Sequence, residues 1–425
     1  MGVKWSMQKA RSERSSGSDF LLRIMPRTIS VGIDIGTSQV KVVAAETAHE
    51  DGRDFPRVIG VGFAESRGLH QGYILNQSEA IKSVKSALAQ AEKAAGVPLR
   101  RVVASIGGIG LGSVTTTGTV VITRADNEIT EIDVEKASEA SREAIPKGAE
   151  QNRRIIHSLS LSFRVDGHAI PGKPEGLKGN KLEVRTLFIT CFEHHINDLL
   201  ETLQGAGLEV ENIVAAPIAA SQVTLSRQQK TAGCVLANIG SSTVSIVVFE
   251  NNLPISLEIF AIGSNDITHD IALGLRVPLE EAEDLKRGSI IGASYPRKKL
   301  DEIIEARLKD VFELIEAHLK KIGRNALLPA GIILTGGGSA IETIADLARS
   351  SLRLPSKVAT VSFGETLKGQ IRDASWSVAY GLSLIGLQGE NDESIPGVHG
   401  APAQPKKGAS QFFQTIWSFI KQFLP

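Results

Sequence analysis

An aspartate closing an apolar run, a short Gly/Thr/Ser turn and a lysine seven residues on form a pattern suited to holding phosphate. Residues 34–43 read D-I-G-T-S-Q-V-K-V-V, and residues 238–247 read N-I-G-S-S-T-V-S-I-V. Each copy follows an apolar run and leads into β-branched residues, which reads as strand, tight turn, strand. Gly36, Thr37 and Ser38 in the first copy offer backbone N–H groups and hydroxyls to an anion, as do Gly240, Ser241, Ser242 and Thr243 in the second. Asp34 ends a buried strand, where an unpaired carboxylate is costly. A hydrated Mg²⁺ held through water would compensate it, because Mg²⁺ keeps its waters and takes few carboxylates. Lys41 can reach back to a phosphate as a point charge. Either turn alone also fits the polar tip of an ordinary hairpin. Two copies in corresponding places point to a polyphosphate gripped from both sides.

Two further groups belong with these turns. Gly336-Gly337-Gly338-Ser339 follows an apolar strand and precedes a helix expected to start near Ile341, where glycines permit close backbone approach to a flat or phosphorylated ligand. Glu283 and Lys286 lie three apart on a helix predicted over 279–287, so they share a face, either as a solvated ion pair or as a nucleoside contact. Other chemistries find little support. There is no GxxxxGK[ST] loop, no GxSxG elbow and no HExxH helix, and the glycines of 107–112 do not fit GxGxxG. Cys191 and His194 stand at CxxH spacing, which by itself makes no metal site.

The elements that must position these residues alternate between strand and helix. A hairpin is expected over 29–46, a strand over 57–63, and a helix over 78–95 with an N-cap at Asn76 or Ser78 and a stop at Gly96-Val97-Pro98. A strand over 99–106 follows. Residues 107–185 change character, with a Gly/Thr/Val-rich strand, a helix over 133–143 and strands from 154. A second α/β pattern then leads to the second turn. Residues 300–323 carry Ile303, Ile304, Leu308, Val311, Phe312, Ile315 and Leu319 at helical spacing.

With 425 residues the chain should form more than one domain, and a formal net charge of zero gives no global attraction to nucleic acid or an anionic surface. Its two cysteines, Cys191 and Cys234, lie in apolar runs and read as reduced and buried in a cytosolic protein. Residues 1–27 are basic and Ser-rich and read as a disordered extension or an early start codon. Residues 389–409 read as a flexible Gly/Pro-rich linker. In the last segment Phe412, Phe413, Ile416, Trp417, Phe419, Ile420, Phe423 and Leu424 share one broad helical face. Lys406, Lys407 and Lys421 have no acidic neighbours there. This describes an interfacial membrane helix that favours an anionic surface. Its gross burial is on the order of 10 kcal/mol at ~1.5 kcal/mol per side chain. Ordering the segment offsets much of that, so binding should be reversible.

The ordered set Gly32–Lys41, Ser66-Arg67-Gly68, Ile239–Thr243, Gly263-Ser264-Asn265-Asp266-Ile267-Thr268, Ala282-Glu283-Asp284-Leu285-Lys286, Ile303–Arg307 and Leu334–Ser339 resembles the bacterial cell-division FtsA family. The resemblance runs from about residue 28 to 388 and is completed by the linker and tail. It implies an α/β, actin-like two-lobed fold around a nucleotide cleft, with ATP and Mg²⁺ as cofactors. Its subdomains would be 1A (28–106 and 186–232), 1C (107–185, used in filament contacts), 2A (233–267 and 329–370) and 2B (268–328). A return helix to 1A (371–388), the linker and the amphipathic helix (410–425) would follow. The implied partners are a second copy in a filament, membrane lipids, other division proteins and the C-terminal peptide of FtsZ, met by Arg307 on 2B; nucleic acid is not among them. The implied place is the cytoplasmic face of the membrane at the division site.

One departure from that family bears on chemistry. Its second phosphate turn usually reads Asp-Ile-Gly-Gly-Gly-Thr-x-Asp, whereas Asn238 and Ser245 are neutral here. Phosphoryl transfer depends on positioning and on charge neutralisation around the metal. The expectation is a nucleotide-binding scaffold with weak or absent hydrolysis and no assignable catalytic base. The alternatives are a PilM-like pilus or secretion-platform adaptor, or an active ATPase or sugar kinase of the same superfamily.

Overall fold

The computed structural model describes residues 28–50, 53–289, 295–361 and 373–388. The basic extension, the linker and the amphipathic tail lie outside the described residues.

The first lobe opens with β1 (Ile29–Ile35), β2 (Gln39–Glu50) and β3 (Arg53–Glu65), a small hairpin β4 (Leu69–His70) and β5 (Tyr73–Ile74), then α1 (Gln77–Ala95) and β6 (Arg101–Ile106). An inserted unit follows: β7 (Leu111–Val121), α2 (Glu131–Glu143), α3 (Lys147–Glu150), β8 (Arg153–Val165), β9 (His168–Ile170) and β10 (Lys181–Phe192). The chain returns through α4 (Glu193–Gly205), β11 (Glu209–Ala215), α5 (Ala216–Thr224) and α6 (Arg227–Ala232). The second lobe holds β12 (Cys234–Ile239), β13 (Val244–Glu250), β14 (Leu253–Phe260), α7 (Ser264–Leu275), α8 (Leu279–Lys286), α9 (Arg297–Lys321), β15 (Ile332–Thr335), α10 (Ile344–Leu352) and β16 (Ser356–Val358). Helix α11 (Ser377–Gln388) closes the described chain.

The two lobes are built on one plan. The first sheet has the order β11-β6-β1-β2-β3 and the second β16-β15-β12-β13-β14, read in the same direction. In each, three consecutive strands form an antiparallel meander, and two later strands add in parallel beside the first. The parallel additions need crossovers, which the helices between them supply. The repeated sequence phrase therefore marks a repeated half.

Local chemistry explains the boundaries. Helix α1 starts where the Asn76 side chain accepts the Glu79 N–H at 3.2 Å and ends where Gly96 takes a left-handed conformation. Its buried residues Ala80, Val84, Ala87, Leu88 and Ala91 follow helical spacing and cover the meander. All four residues of β15 are buried, as its place between β12 and β16 demands. The helix expected near Ile341 begins later: a 3₁₀ turn occupies Gly337–Ala340 and α10 starts at Ile344. Three glycines favour a tight turn over a regular helix start.

The chain crosses between lobes at α5 and again before α11, and α11 packs on β1 and α5. The main core runs from the first sheet through Ile218, Ala219 and Leu382 to Leu236, Val247 and Phe249 of the second. The inserted four-stranded sheet, β7-β10-β8-β9, has its own core around Ile122, Ile129, Ala137 and Val184. It meets the second lobe where the Ser113 hydroxyl donates to Leu257 O at 2.8 Å and accepts the Leu257 N–H at 3.0 Å.

Candidate nucleotide cleft

Strand register brings the first candidates together. Asp34 and Lys41 are directly opposed on β1 and β2, and Asn238 and Ser245 are opposed in the same way on β12 and β13. The turns between them share one hydrogen bond: Gly36 N donates to Gln39 O at 3.1 Å, and Gly240 N donates to Thr243 O at 2.9 Å. Both turns line one cleft with a volume of 510 Å³, within the usual range for small-molecule sites. Asp34, Gly36, Thr37, Ser38 and Lys41 enter from one lobe, and Asn238, Gly240, Ser241, Ser242 and Thr243 from the other. Glu283, Lys286, Gly336, Gly337 and Gly338 complete the wall, but Ser339 does not reach it. Ser339 is buried behind, where its hydroxyl donates to Gly336 O at 2.7 Å and fixes the glycine turn.

Each turn is tied down from outside. The Ser66 hydroxyl donates to Gly36 O at 2.6 Å, and the Ser66 N–H to Ser38 O at 2.9 Å. In the second lobe the first turn of α7 does the same work, with Ser264 N donating to Gly240 O and Asn265 N to Ser241 O. The Thr37 hydroxyl accepts the Gly72 N–H at 3.1 Å, which leaves its own proton free to donate.

Of the two turns, the first carries the charge. Asp34 accepts a 2.7 Å hydrogen bond from the Ser105 hydroxyl. Burial raises its pKa against the opposing pull of Ser105 and Lys41. Burial lowers the pKa of Lys41, and the nearby Asp34 and Asp373 carboxylates only partly restore it. The Lys41 ammonium does not point to empty space. Its Nζ donates to Ser375 O at 3.0 Å and sits 5.7 Å from the Trp376 ring centroid. Asp373 also faces the cleft and accepts from both the N–H and the hydroxyl of Ser375. No spacing in the sequence marks Ser105, Asp373 or Ser375 as neighbours of Asp34 and Lys41, because they lie far from it in the chain. Ser66 carries a signal, since it opens one of the motifs quoted above.

The neutral second turn is sterically fixed. Gly336 has φ 86°, and a Cβ there would overlap Asn238 Oδ1 and Ile239 O. By contrast a Cβ at Gly337 would meet nothing within 4 Å, so this face is open to a ligand. Glu283 and Lys286 form a closed network. Lys286 Nζ donates to Glu283 Oε2 at 2.6 Å, Thr268 Oγ1 at 2.8 Å and Ser264 O at 3.1 Å. Burial alone would raise the Glu283 pKa, but the bonds from Lys286, Thr268 and Arg287 together hold it below its ordinary value.

Arg307 lies away from the cleft, where it joins α9 to α7. Its guanidinium makes a two-pronged pair with Asp270, at 2.6 and 3.0 Å, and a 3.3 Å contact with Asp310. The Asp270 bond raises its pKa. The partner of Cys191 is His195 rather than His194, at 3.5 Å. Among the described residues no group of three or more His, Cys, Asp or Glu is arranged to hold a metal ion. The same residues include no helix long and apolar enough to cross a membrane.

Two sheets of one topology, with matched Gly/Ser/Thr turns facing across a cleft, define an actin-like protein. A solved PilM–PilN type IV pilus biogenesis complex shares this fold, with TM-score 0.63 at 20% identity over 85% of this chain and 99% of that chain. Residues 235–381 match the family model described as cell division protein FtsA, and residues 108–190 match the SHS2 domain inserted in FtsA. The FtsA protein of Bacillus subtilis (strain 168) is 30% identical over 374 residues, covering 83% of this chain and 82% of that protein. That of Pseudomonas aeruginosa is 29% identical over 393 residues, covering 87% and 92%. The chain belongs to the FtsA family of actin-like cell-division proteins.

Proposed function

We propose that this protein is a nucleotide-dependent scaffold that binds ATP with Mg²⁺, assembles on itself and links FtsZ filaments to the cytoplasmic face of the membrane. The observation that carries this reading is the pair of matched turns facing one cleft with unequal charge: Asp34 and Lys41 on one side, Asn238 and Ser245 on the other. The cleft fits a polyphosphate. Its two turns present N–H groups and hydroxyls, Gly337 is open, and the half-buried Asp34 carboxylate is held by the Ser105 hydroxyl. Asp34 would hold Mg²⁺ through water, and the ion would neutralise phosphate charge when bound.

Hydrolysis is expected to be very slow. Asn238 accepts a hydrogen bond but contributes no charge, and Ser245 replaces the second usual acid. Purified protein should therefore bind nucleotide with little turnover, and Asn238→Asp should turn over faster; brisk hydrolysis by the unchanged protein would overturn the scaffold reading. We assign the inserted unit to self-assembly and the apolar–basic segment 410–425 to lipid. Removing 410–425, or Trp417→Glu, should abolish sedimentation with anionic vesicles, and persistence of binding would place the anchor elsewhere.

A further inference from the structure

The wall of the cleft includes a buried histidine that phosphate binding does not explain. His195 stands on the first turn of α4, is 3% exposed and lines the cleft beside Gly72. Its Nε2 lies 3.0 Å from Gly72 O. That carbonyl can only accept, so Nε2 carries the proton and Nδ1 is left as an acceptor. Cys191 Sγ lies 3.5 Å from Nδ1 and supplies the S–H. Both ring nitrogens are thus committed, one to the β4–β5 hairpin and the other to β10 of the inserted sheet.

The hairpin continues the connection into the phosphate turn. Gly72 N donates to Thr37 Oγ1, so one peptide position is held by His195 through its carbonyl and holds Thr37 through its N–H. The hairpin has little room to slip. Gly72 and Gly108 both have positive φ, and a Cβ on either would collide with the other's backbone. A ring stack reinforces the far end. Tyr73 tilts over His195 with centroids 4.6 Å apart and stacks on His194, which stacks in turn on Phe192. Arg153 of β8 lies over Phe192 and donates to Gly110 O at 2.8 Å and Thr190 Oγ1 at 2.9 Å. Gly110 directly precedes β7, so the outer end of this assembly gathers three strands of the inserted sheet.

We propose that His195 is a positioning residue that couples the nucleotide cleft to the inserted unit, holding Thr37 through Gly72 at one end and β10 through Cys191 at the other. The inference rests on the reading that the cleft binds nucleotide. Coupling of this kind is reciprocal in binding free energy: what orders the inserted sheet tightens the cleft, and nucleotide orders the inserted sheet. A histidine is suited to this place because it donates at one ring nitrogen and accepts at the other.

The test uses the full-length protein, a fluorescent ATP analogue with Mg²⁺, and amide hydrogen exchange across residues 111–121 and 181–192. In the unchanged protein nucleotide should slow exchange at the ends of β7 and β10 nearest Gly110 and Cys191. His195→Leu should weaken nucleotide binding about tenfold, as expected for loss of one positioning hydrogen bond at a buried site, and abolish the nucleotide-dependent protection. His195→Gln, which keeps a donor for Gly72 O, should recover part of the affinity but not the protection, because its contact with Cys191 is lost. If His195→Leu does not fold, Cys191→Ala cuts the outer half of the link, with a smaller loss of affinity than for His195→Leu and the protection lost. Unchanged nucleotide-dependent protection in the folded leucine or alanine variant overturns the coupling. Failure of the unchanged protein to bind the analogue overturns the nucleotide reading itself.

Discussion

At the scale of single residues, several side chains are held in environments that oppose their charge. Asp34 is one. Burial lifts its pKa, and its bonded partner is the Ser105 hydroxyl. Asp34→Asn preserves a polar group for Ser105 and removes the disfavoured charge, so it should raise thermal stability without nucleotide while removing the Mg²⁺ dependence of nucleotide affinity. A melting curve and a Mg²⁺ titration read the two effects, and a lower melting temperature or an unchanged Mg²⁺ dependence would refute them. Lys230 is a second case, 5% exposed with its ammonium 5.3 Å from the Phe249 ring centroid. Burial lowers its pKa from 10.5 to about 8. Between those values the unfolded chain binds a proton that the folded chain does not, so stability rises with pH across that window. Lys230→Met should flatten this rise and stabilise the protein at pH 7 by about 1–2 kcal/mol, the Phe249 ring having offset part of the burial cost. Urea melts at pH 7 and 10 would decide it. His195 acts at the other end of the scale. Burial lowers its pKa from 6.5 to about 4, so stability should fall as pH drops through that interval and the unfolded chain takes up a proton first.

At the scale of elements, the α7–α9 pair sets how Arg307 can act. Its two-pronged bond to Asp270 spans the two helices, so on the proposal that Arg307 meets the FtsZ peptide, a peptide carboxylate would have to share or displace that partner. Arg307→Glu would place a third carboxylate beside Asp270 and Asp310. It should weaken binding of an FtsZ C-terminal peptide and also loosen α7 against α9. Asp270→Asn frees the arginine without adding repulsion, and should preserve or strengthen peptide binding in a titration; a loss as large as that of Arg307→Glu would mean that the helix pair, not the arginine, is what the peptide reads. The same scale shows what local sequence can specify. The cap at Asn76, the stop at Gly96 and the apolar stripe of α9 are short-range signals, and each element lies where those signals place it. The glycine run at 336–338 is different. Its composition permits a turn or a helix start, and packing of Gly336 against Asn238 from a strand nearly a hundred residues earlier selects the turn.

At the scale of the molecule, the two lobes share a cleft but are joined by few crossings, α5 and the segment leading into α11. Lys41 of the first lobe donates to Ser375 O, and Thr335 of the second donates to Ala374 O at 3.0 Å, so both lobes grip that segment. A ligand that binds both turns should tighten this arrangement. Nucleotide at a hundred times its dissociation constant should stabilise the fold by about 2.7 kcal/mol, visible as a concentration-dependent rise in melting temperature. Lys41→Ala should reduce that rise, because it removes both a positive charge in the cleft and the grip on Ser375. The amino-acid sequence alone determined the two matched turns, their unequal charge and the alternation of strands and helices, because turn chemistry and apolar periodicity act over a few residues. The tertiary structure decided which polar groups meet: Lys41 with Ser375, Arg307 with Asp270, Asn238 against Gly336, and His195 between Gly72 and Cys191. Most of those pairings join residues far apart in the chain, 334 positions in the case of Lys41 and Ser375. No local pattern encodes them, because a buried polar group takes whichever partner the packed sheets and helices bring within hydrogen-bonding distance.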